Sequence, residues 1–461
     1  MAEKEQNLSS IPRRLSTLVR WLEDRDELHR VGVSVDPVLE IAAITDRVAK
    51  RPGGGKALLF SNVKGSPFAL ATNLFGSQQR SSWAWGCDDT AKLGACLEAK
   101  LAKGEGGTAA LRLQSLLAPS QSSCLLNSLR LPEVEVDLGR LPALQAWPGD
   151  GGRFMTLPLI SMQDPESGLF NWGIYRMQVL GQRRAALHFL PGSQGERFLR
   201  AYAQRGRVWR LAVTLGGDPA LLAAAALPLP RDIDEAAFVG LVTGRPPLLA
   251  HAPRSGLPVA AEAEIVMEGE IRPGDWALEG PFGNHTGYYR PAAPAPVFHV
   301  TDMYHGARPL FPATVVGPPP MENFWLLRAG EPLLLALLRA DHPRIAHLRF
   351  FMEGAFHGCA LLGLEPAAGP SPLELARLLW REGPLRAARL LVFVDARTAG
   401  EDGSRLLWRI FNHSRPEQDL LVEDGRLAVD ATRKQDWPEV GWDARTRALI
   451  EGRWAEYGLD E

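Results

Sequence analysis

Between about Leu129 and Gly317 one short strand pattern follows another, and this succession limits the fold more than any other feature of the chain. EVEVDL, FMTLPLISM, NWGIYRMQVL, RAALHFL, VWRLAVTLGG, PLLAHA, AEIVMEG, VFHVTDMY and FPATVVG alternate or run apolar over strand lengths. Only QGERFLRAYAQRG and DEAAFVGLVTG read as helices there. So many short strands would leave open sheet edges unless the sheet curls on itself, so a closed or half-closed barrel is expected.

On either side, helix and strand alternate. Leu15, Leu18, Val19 and Leu22 recur at helical spacing, ELHRVGVSVD switches to strand alternation, and VDPVLEIAAITDRVAK reads as a second helix before the strands ALLF and FALATNLF. The Ser-rich joint APSQSSC follows this layer, and past GPPPMEN helix and strand alternate again as in a second α/β layer. With 461 residues the chain is too long for one ordinary core. The expected class is α+β multidomain: an N-terminal α/β domain over 1–119, a split β-barrel over 120–318 and a C-terminal α/β domain over 319–461. The last helix carries Ala448, Leu449, Ile450 and Trp454, an apolar set that needs a surface, and a partner subunit could supply it.

Charge narrows the function. Lys and Arg number 51 against 53 Asp and Glu, with no block of one sign, which argues against nucleic acid and anionic membrane as partners. Cys87, Cys96, Cys124 and Cys359 lack metal-ligand spacing and disulfide density, and the start MAEKEQNLSS has no apolar signal core, so free thiols in the cytoplasm are expected. The apolar runs LLAAAALPLP and LLLALL fall short of the roughly 20 residues of a membrane span.

Three segments of the barrel concentrate polar groups. In NWGIYR a strand puts Asn171, Gly173 and Tyr175 on one face and Trp172, Ile174 and Arg176 on the other. An arginine on an apolar strand takes an anion or a structural ion pair, and the pattern leaves both open. Glu235 in DIDEAAFVG is either a surface acid or, with Asn171, an oxygen ligand for a hard divalent cation. The third segment, Ala261 to Arg290, begins as a strand and ends in a Gly/Pro-broken loop with Glu279, Asn284 and His285. Gly280, Gly283 and Gly287 allow sharp turns or close approach, and Pro281 stiffens the bend, so Glu279 is either held at a pocket or exposed on a hairpin loop. Trp172, Trp276 and Phe282 are candidate pocket walls. His299, His305, His347 and His357 form no zinc motif, and GxGxxG after a strand, the P-loop and GxSxG are all absent.

In fixed order, NWGIYRMQ, DEAAFVG, EIVMEG with EGPFGNHTGYY, the N-terminal RVGVSVDPVLEIAAITDR, NLFGS and GPPPMEN resemble the UbiD-type decarboxylases, which use prenylated FMN. The likeness runs along nearly the whole chain and implies a split barrel of the flavin-reductase kind between two α/β layers. It implies that Asn171 and Glu235 hold a Mn²⁺-like ion at the cofactor phosphate, with K⁺ as a second ion. Ile174, Tyr175, Arg176, His188, Phe189 and Leu190 would lie along the flavin, the last three on a strand. Arg176 and Glu279 would belong to the catalytic network. A UbiX-type flavin prenyltransferase would supply the cofactor, an aromatic or α,β-unsaturated carboxylic acid would be the substrate, and the chain would be at least a homodimer.

Two positions depart from the family pattern. Its loop acid, the proton donor in EGPxG(D/E)xTGYY, is Asn284 here, and a histidine metal ligand common after the NxGxYR strand falls on Gly192. Loss of CO2 leaves electron density on carbon that needs a sink and then a proton, and a carboxamide has no titratable proton near neutral pH. The leading expectation is therefore a prenylated-FMN carboxy-lyase with an altered acid. Its rivals are an inactive homologue serving as a cofactor-binding or assembly subunit, and an FMN oxidoreductase built on the same barrel.

Overall fold

The computed structural model describes residues 11–104, 106–117, 125–126, 128–354, 358–435 and 440–459. Cys124, His357 and the joint at 118–124 lie outside them. Cys87, Cys96 and Cys359 carry free thiols.

Among the described residues the central sheet has nine strands. Eight follow the order Phe154–Met155, Met177–Val179, Arg184–Leu187, Ala293–His305, Ala263–Glu279, Trp209–Gly216, Leu159–Gln163, Phe170–Ile174, and Glu133–Val134 joins beside Ala293–His305. Phe170–Ile174 ends that order and Met177–Val179 stands second from its other end, yet only Tyr175 and Arg176 separate them in sequence. Three residue steps span at most about 10 Å, so the two ends of the sheet meet there. The sheet is a curled barrel, and Tyr175 and Arg176 sit at its seam. Leu211, Val213 and Leu215 with Ile265 and Met267 fill the interior at the period of two that a strand imposes.

The strand Ala263–Glu279 is 17 residues long and runs to Glu279 itself. Its register with Ala293–His305 shifts after Glu268 and again between Ile271 and Trp276. Such bulges bend a strand, which a sheet closing on itself requires.

The N-terminal sheet pairs Leu28–Val31, Ala57–Phe60, Ala69–Thr72 and Leu310–Pro312, the last strand arriving from the far end of the barrel segment. The helix Leu15–Glu23 buries the four residues whose spacing predicts it. Between barrel and C-terminal layer, Ala91–Ala102, Ala109–Leu117, Pro219–Ala225 and Glu235–Thr243 pack around the 20-residue helix Glu322–Asp341 in one apolar core. The first three of these helices are absent from the sequence reading. The C-terminal sheet runs Ile345–Phe350, Cys359–Leu364, Leu390–Asp395, Arg426–Asp430, Leu420–Glu423. The terminal helix Ala444–Gly452 buries no residue. Among the described residues no helix is long and apolar enough to cross a membrane.

Candidate active site

The barrel seam gathers the polar groups. Phe170–Ile174 leaves its neighbour at Tyr175, so the Arg176 side chain emerges where the two sheet ends meet. Its Nε and Nη2 donate to Oε1 and Oε2 of Glu279 at 2.8 and 3.1 Å, the bidentate pairing that a planar guanidinium favours. The guanidinium lies 4.1 Å over the Phe282 ring, which packs edge-on to Phe154. His188 follows the strand Arg184–Leu187 rather than lying within it, as do Phe189 and Leu190, which corrects their expected strand. His188 Nδ1 is 3.3 Å from Oε2 of Glu279, and its Nε2 is buried without a partner. Burial pushes the Glu279 carboxyl up, but the His188 ring and then the hydrogen bonds and charge of Arg176 outweigh it and hold the group at about 2.

A loop latch holds Glu279 in place. Asp150 Oδ2 accepts the N–H groups of Ala146 and Trp147 at 3.0 and 2.9 Å, and its Oδ1 accepts that of Gly283 at 2.7 Å. Gln178 Oε1 accepts from Gly280 N–H at 2.7 Å, and Gly151 N–H donates to the Pro281 carbonyl at 2.7 Å. Gly280 and Gly287 have φ of +93° and +82°, and a Cβ on Gly283 would lie 2.2 Å from the Trp147 ring, so these turns need glycine. Neither Asp150 nor Gln178 stands out in the sequence. An Asp before a Gly-Gly turn in WPGDGG is the one signal available for the first.

Asn284 stays on its own turn. It is half-buried, its Oδ1 accepts from the following N–H of His285 at 2.8 Å, and its own N–H donates to the Tyr288 carbonyl at 3.1 Å. Burial and then the charge of Arg176 lower His285 below the usual imidazole value.

On the other flank of the seam, the helix Glu235–Thr243 points its N-terminus at the strand that carries Asn171, with Asp234 as N-cap. Glu235 Oε1 accepts from Asn171 Nδ2 and Oε2 from Trp172 N–H, each at 2.7 Å. Asn171 Oδ1 is buried without a partner. Burial drives Glu235 well above the usual carboxylate range. A buried acid beside an orphaned acceptor suits a cation better than it suits either group alone. Gly192 adds nothing to that pair: it is exposed and its N–H donates to Glu196 at 2.6 Å. Among the described residues no three His, Cys, Asp or Glu side chains gather as a metal would need.

Tyr175 packs edge-to-face on Phe189 with ring centroids 4.9 Å apart, and its hydroxyl accepts from Gly195 N–H at 3.2 Å. Ile174 is half-buried, and Leu190 is 55% exposed. Arg386, from the C-terminal layer, reaches the charge neighbourhood of Tyr175, Arg197 and Arg231. Burial, then Arg231, then Arg197 lower it, and its guanidinium has no carboxylate partner among the described residues. Sequence reading passes over it, since GPLRAAR marks no motif. Of the candidate walls, Phe282 lies under Arg176, Trp172 is packed among Leu159, Leu221 and Ala236, and Trp276 is 52% exposed.

Three family profiles, described as the N-terminal, Rift-related and C-terminal domains of 3-octaprenyl-4-hydroxybenzoate carboxy-lyase (UbiD), match residues 19–100, 118–319 and 324–448. An uncharacterized protein of Archaeoglobus fulgidus is 34% identical over 96% of this chain and 98% of its own length. One of Aquifex aeolicus is 30% identical over 97% and 99%. Among solved structures, an evolved dimeric form of the UbiD-class enzyme HmfF from Pelotomaculum thermopropionicum, in complex with prFMN, is 25% identical with a TM-score of 0.78, covering 97% of this chain and 100% of that one. The closed form of Sedimentibacter hydroxybenzoicus vanillic acid decarboxylase shares the fold at 20% identity, a TM-score of 0.82 and coverage of 98% and 100%.

Proposed function

The chain belongs to the UbiD carboxy-lyase family, and from that premise we propose that it decarboxylates an aromatic or α,β-unsaturated carboxylic acid with prenylated FMN as cofactor. The observation that carries the reading is the Arg176–Glu279 pair with His188 beside it, buried at the seam of the barrel. Two donors of the Arg176 fork face Glu279, and the remaining N–H groups are left to bind a substrate carboxylate. Holding that carboxylate fixes the bond to be broken relative to the site.

The residues present fit the cofactor. The orphaned Oδ1 of Asn171 beside Glu235 offers oxygen ligands to a Mn²⁺-like ion at the phosphate, with K⁺ as a further ion. The unpaired Arg386 brings positive charge to that flank where Gly192 offers no side chain. Ile174, Tyr175 and Phe189 would line the ring. When bound, the cofactor supplies the electron sink for the pair that departing CO2 leaves on carbon. The protein orients the acid through Arg176, keeps Glu279 ionised, and must deliver a proton to that carbon. A UbiX-type prenyltransferase as supplier, a cytoplasmic setting and a homodimer complete the reading.

Protein co-expressed with a flavin prenyltransferase and supplied with Mn²⁺ and K⁺ is expected to carry prenylated FMN by absorbance and mass, and to release CO2 from cinnamic, 4-hydroxybenzoic or sorbic acid. Flavin-free, inactive protein would sink the proposal. The locally bonded Asn284 favours a second reading, a cofactor-binding homologue without turnover. An inert flavin-loaded parent that Asn284→Asp switches on would establish it.

A further inference from the structure

We infer that His188 is the proton donor of this site, with Glu279 as the partner that orients its ring. The inference rests on the decarboxylase reading above and assigns the job that Asn284 leaves vacant. His188 is held on three sides. Its backbone N–H donates to the Arg176 carbonyl at 3.2 Å, its Nδ1 lies 3.3 Å from Glu279 Oε2, and the residue is 8% exposed. A carboxylate only accepts, so Nδ1 carries hydrogen and Nε2 is the nitrogen left for a ligand. That Nε2 is buried with no partner, an arrangement that costs about 1–3 kcal/mol unless something arrives to use it.

The neighbouring groups cannot serve. Glu279 is held at about 2 and has no proton to give near neutral pH. Asn284 ends in a carboxamide bonded to its own turn. His285 is kept from charging by burial and by Arg176. Charge favours the assignment too. Arg176 and Glu279 cancel, so a bound substrate carboxylate leaves one negative charge in a buried site, and an imidazolium at His188 balances it.

The step balances. The carbon–carboxylate bond breaks, CO2 leaves and its bonding pair stays on carbon. The Nε2–H bond then breaks, its proton forms the new C–H bond, the ring becomes neutral, and solvent reprotonates it.

Loss of the donor blocks protonation but leaves C–C cleavage intact, so two exchange reactions separate the roles. With whichever of cinnamate, 4-hydroxybenzoate or sorbate the parent turns over, His188→Gln is expected to lower deuterium incorporation from D2O about 10²- to 10⁴-fold. Exchange of ¹³CO2 into the acid should fall by less than about tenfold. Adding Asn284→Asp to His188→Gln should restore deuterium incorporation. In cofactor-free protein, ¹⁵N NMR should show a hydrogen-bonded Nδ1–H on His188 that Glu279→Gln abolishes. Undiminished deuterium incorporation in His188→Gln overturns the inference, as does equal loss of both exchanges that Asn284→Asp fails to repair. A parent that exchanges neither label overturns the decarboxylase reading itself.

Discussion

At Glu279 two opposing effects meet. Burial favours the neutral acid, while the His188 ring and the Arg176 fork favour the carboxylate and prevail, which places the group at about 2 against an ordinary 4.5. Because the folded value is depressed, the stability it contributes is full above about pH 4.5 and is lost as pH falls toward 2. Glu279→Gln removes this and leaves Arg176 buried without its counter-charge, so a loss of about 3–5 kcal/mol is expected at neutral pH. Urea melts at pH 7, 4 and 3 should show the gap between parent and variant narrowing as the parent's advantage titrates away. Turnover should fall at least about 10²-fold in the same variant, since the acid-base pair is broken. Wild-type turnover would remove Glu279 from the chemistry.

The loop Gly280 to Tyr289 belongs to the next scale, because what holds it is a second loop. Asp150 satisfies the N–H groups of Ala146, Trp147 and Gly283 together. Asp150→Ala orphans all three, and at about 1–3 kcal/mol for each buried unmet group the latch should be the dominant loss in that variant. Its urea midpoint should drop, amide exchange at Gly283 should accelerate, and KM should rise with the loosened loop. Asp150→Asn keeps one accepting oxygen and should recover part of the loss. The long helix Glu322–Asp341 carries a different device. Glu331 accepts the Phe350 N–H at 2.7 Å, and burial raises its carboxyl to about 7. With a folded value above the ordinary 4.5, its ionisation opposes folding, and stability is lost as pH rises through 4.5 to 7. Glu331→Gln keeps an acceptor without the charge, so it should match the parent at pH 4.5 and exceed it at pH 8 in thermal melts.

For the whole molecule the unfinished part is the C-terminal arm. Leu449 and Trp454 are 53% and 45% exposed, and Trp442 is 75% exposed. The arm buries nothing against its own chain, so its apolar side chains gain by docking elsewhere, and a second copy is the partner proposed above. Leu449→Asp with Trp454→Asp should shift the protein from dimer to monomer in light scattering. The melting temperature of the monomeric variant should stay close to that of the parent at dilution, since no intrachain contact is lost. A parent that is already monomeric would sink the dimer proposal.

Where local pattern carries the information, the sequence was sufficient. The period that buries Leu15, Leu18, Val19 and Leu22, the Asp234 cap before Glu235 and the run of short strands that demands a curled sheet are all written within a few residues of one another. The motif order pointed further, to Asn171 and Glu235 and to Arg176 and Glu279, pairs 64 and 103 residues apart whose side chains the fold brings into contact. Only the tertiary structure decided that Tyr175 and Arg176 stand at the seam, that His188 turns one nitrogen to Glu279 and leaves the other unmet, and that Asp150 latches the loop. It also decided that Arg386 crosses from the C-terminal layer and that Leu310–Pro312 completes the N-terminal sheet. Periodicity reports which face of an element is buried, but not what it is buried against. That choice is made when the sheet closes, and closure is a property of all its strands together.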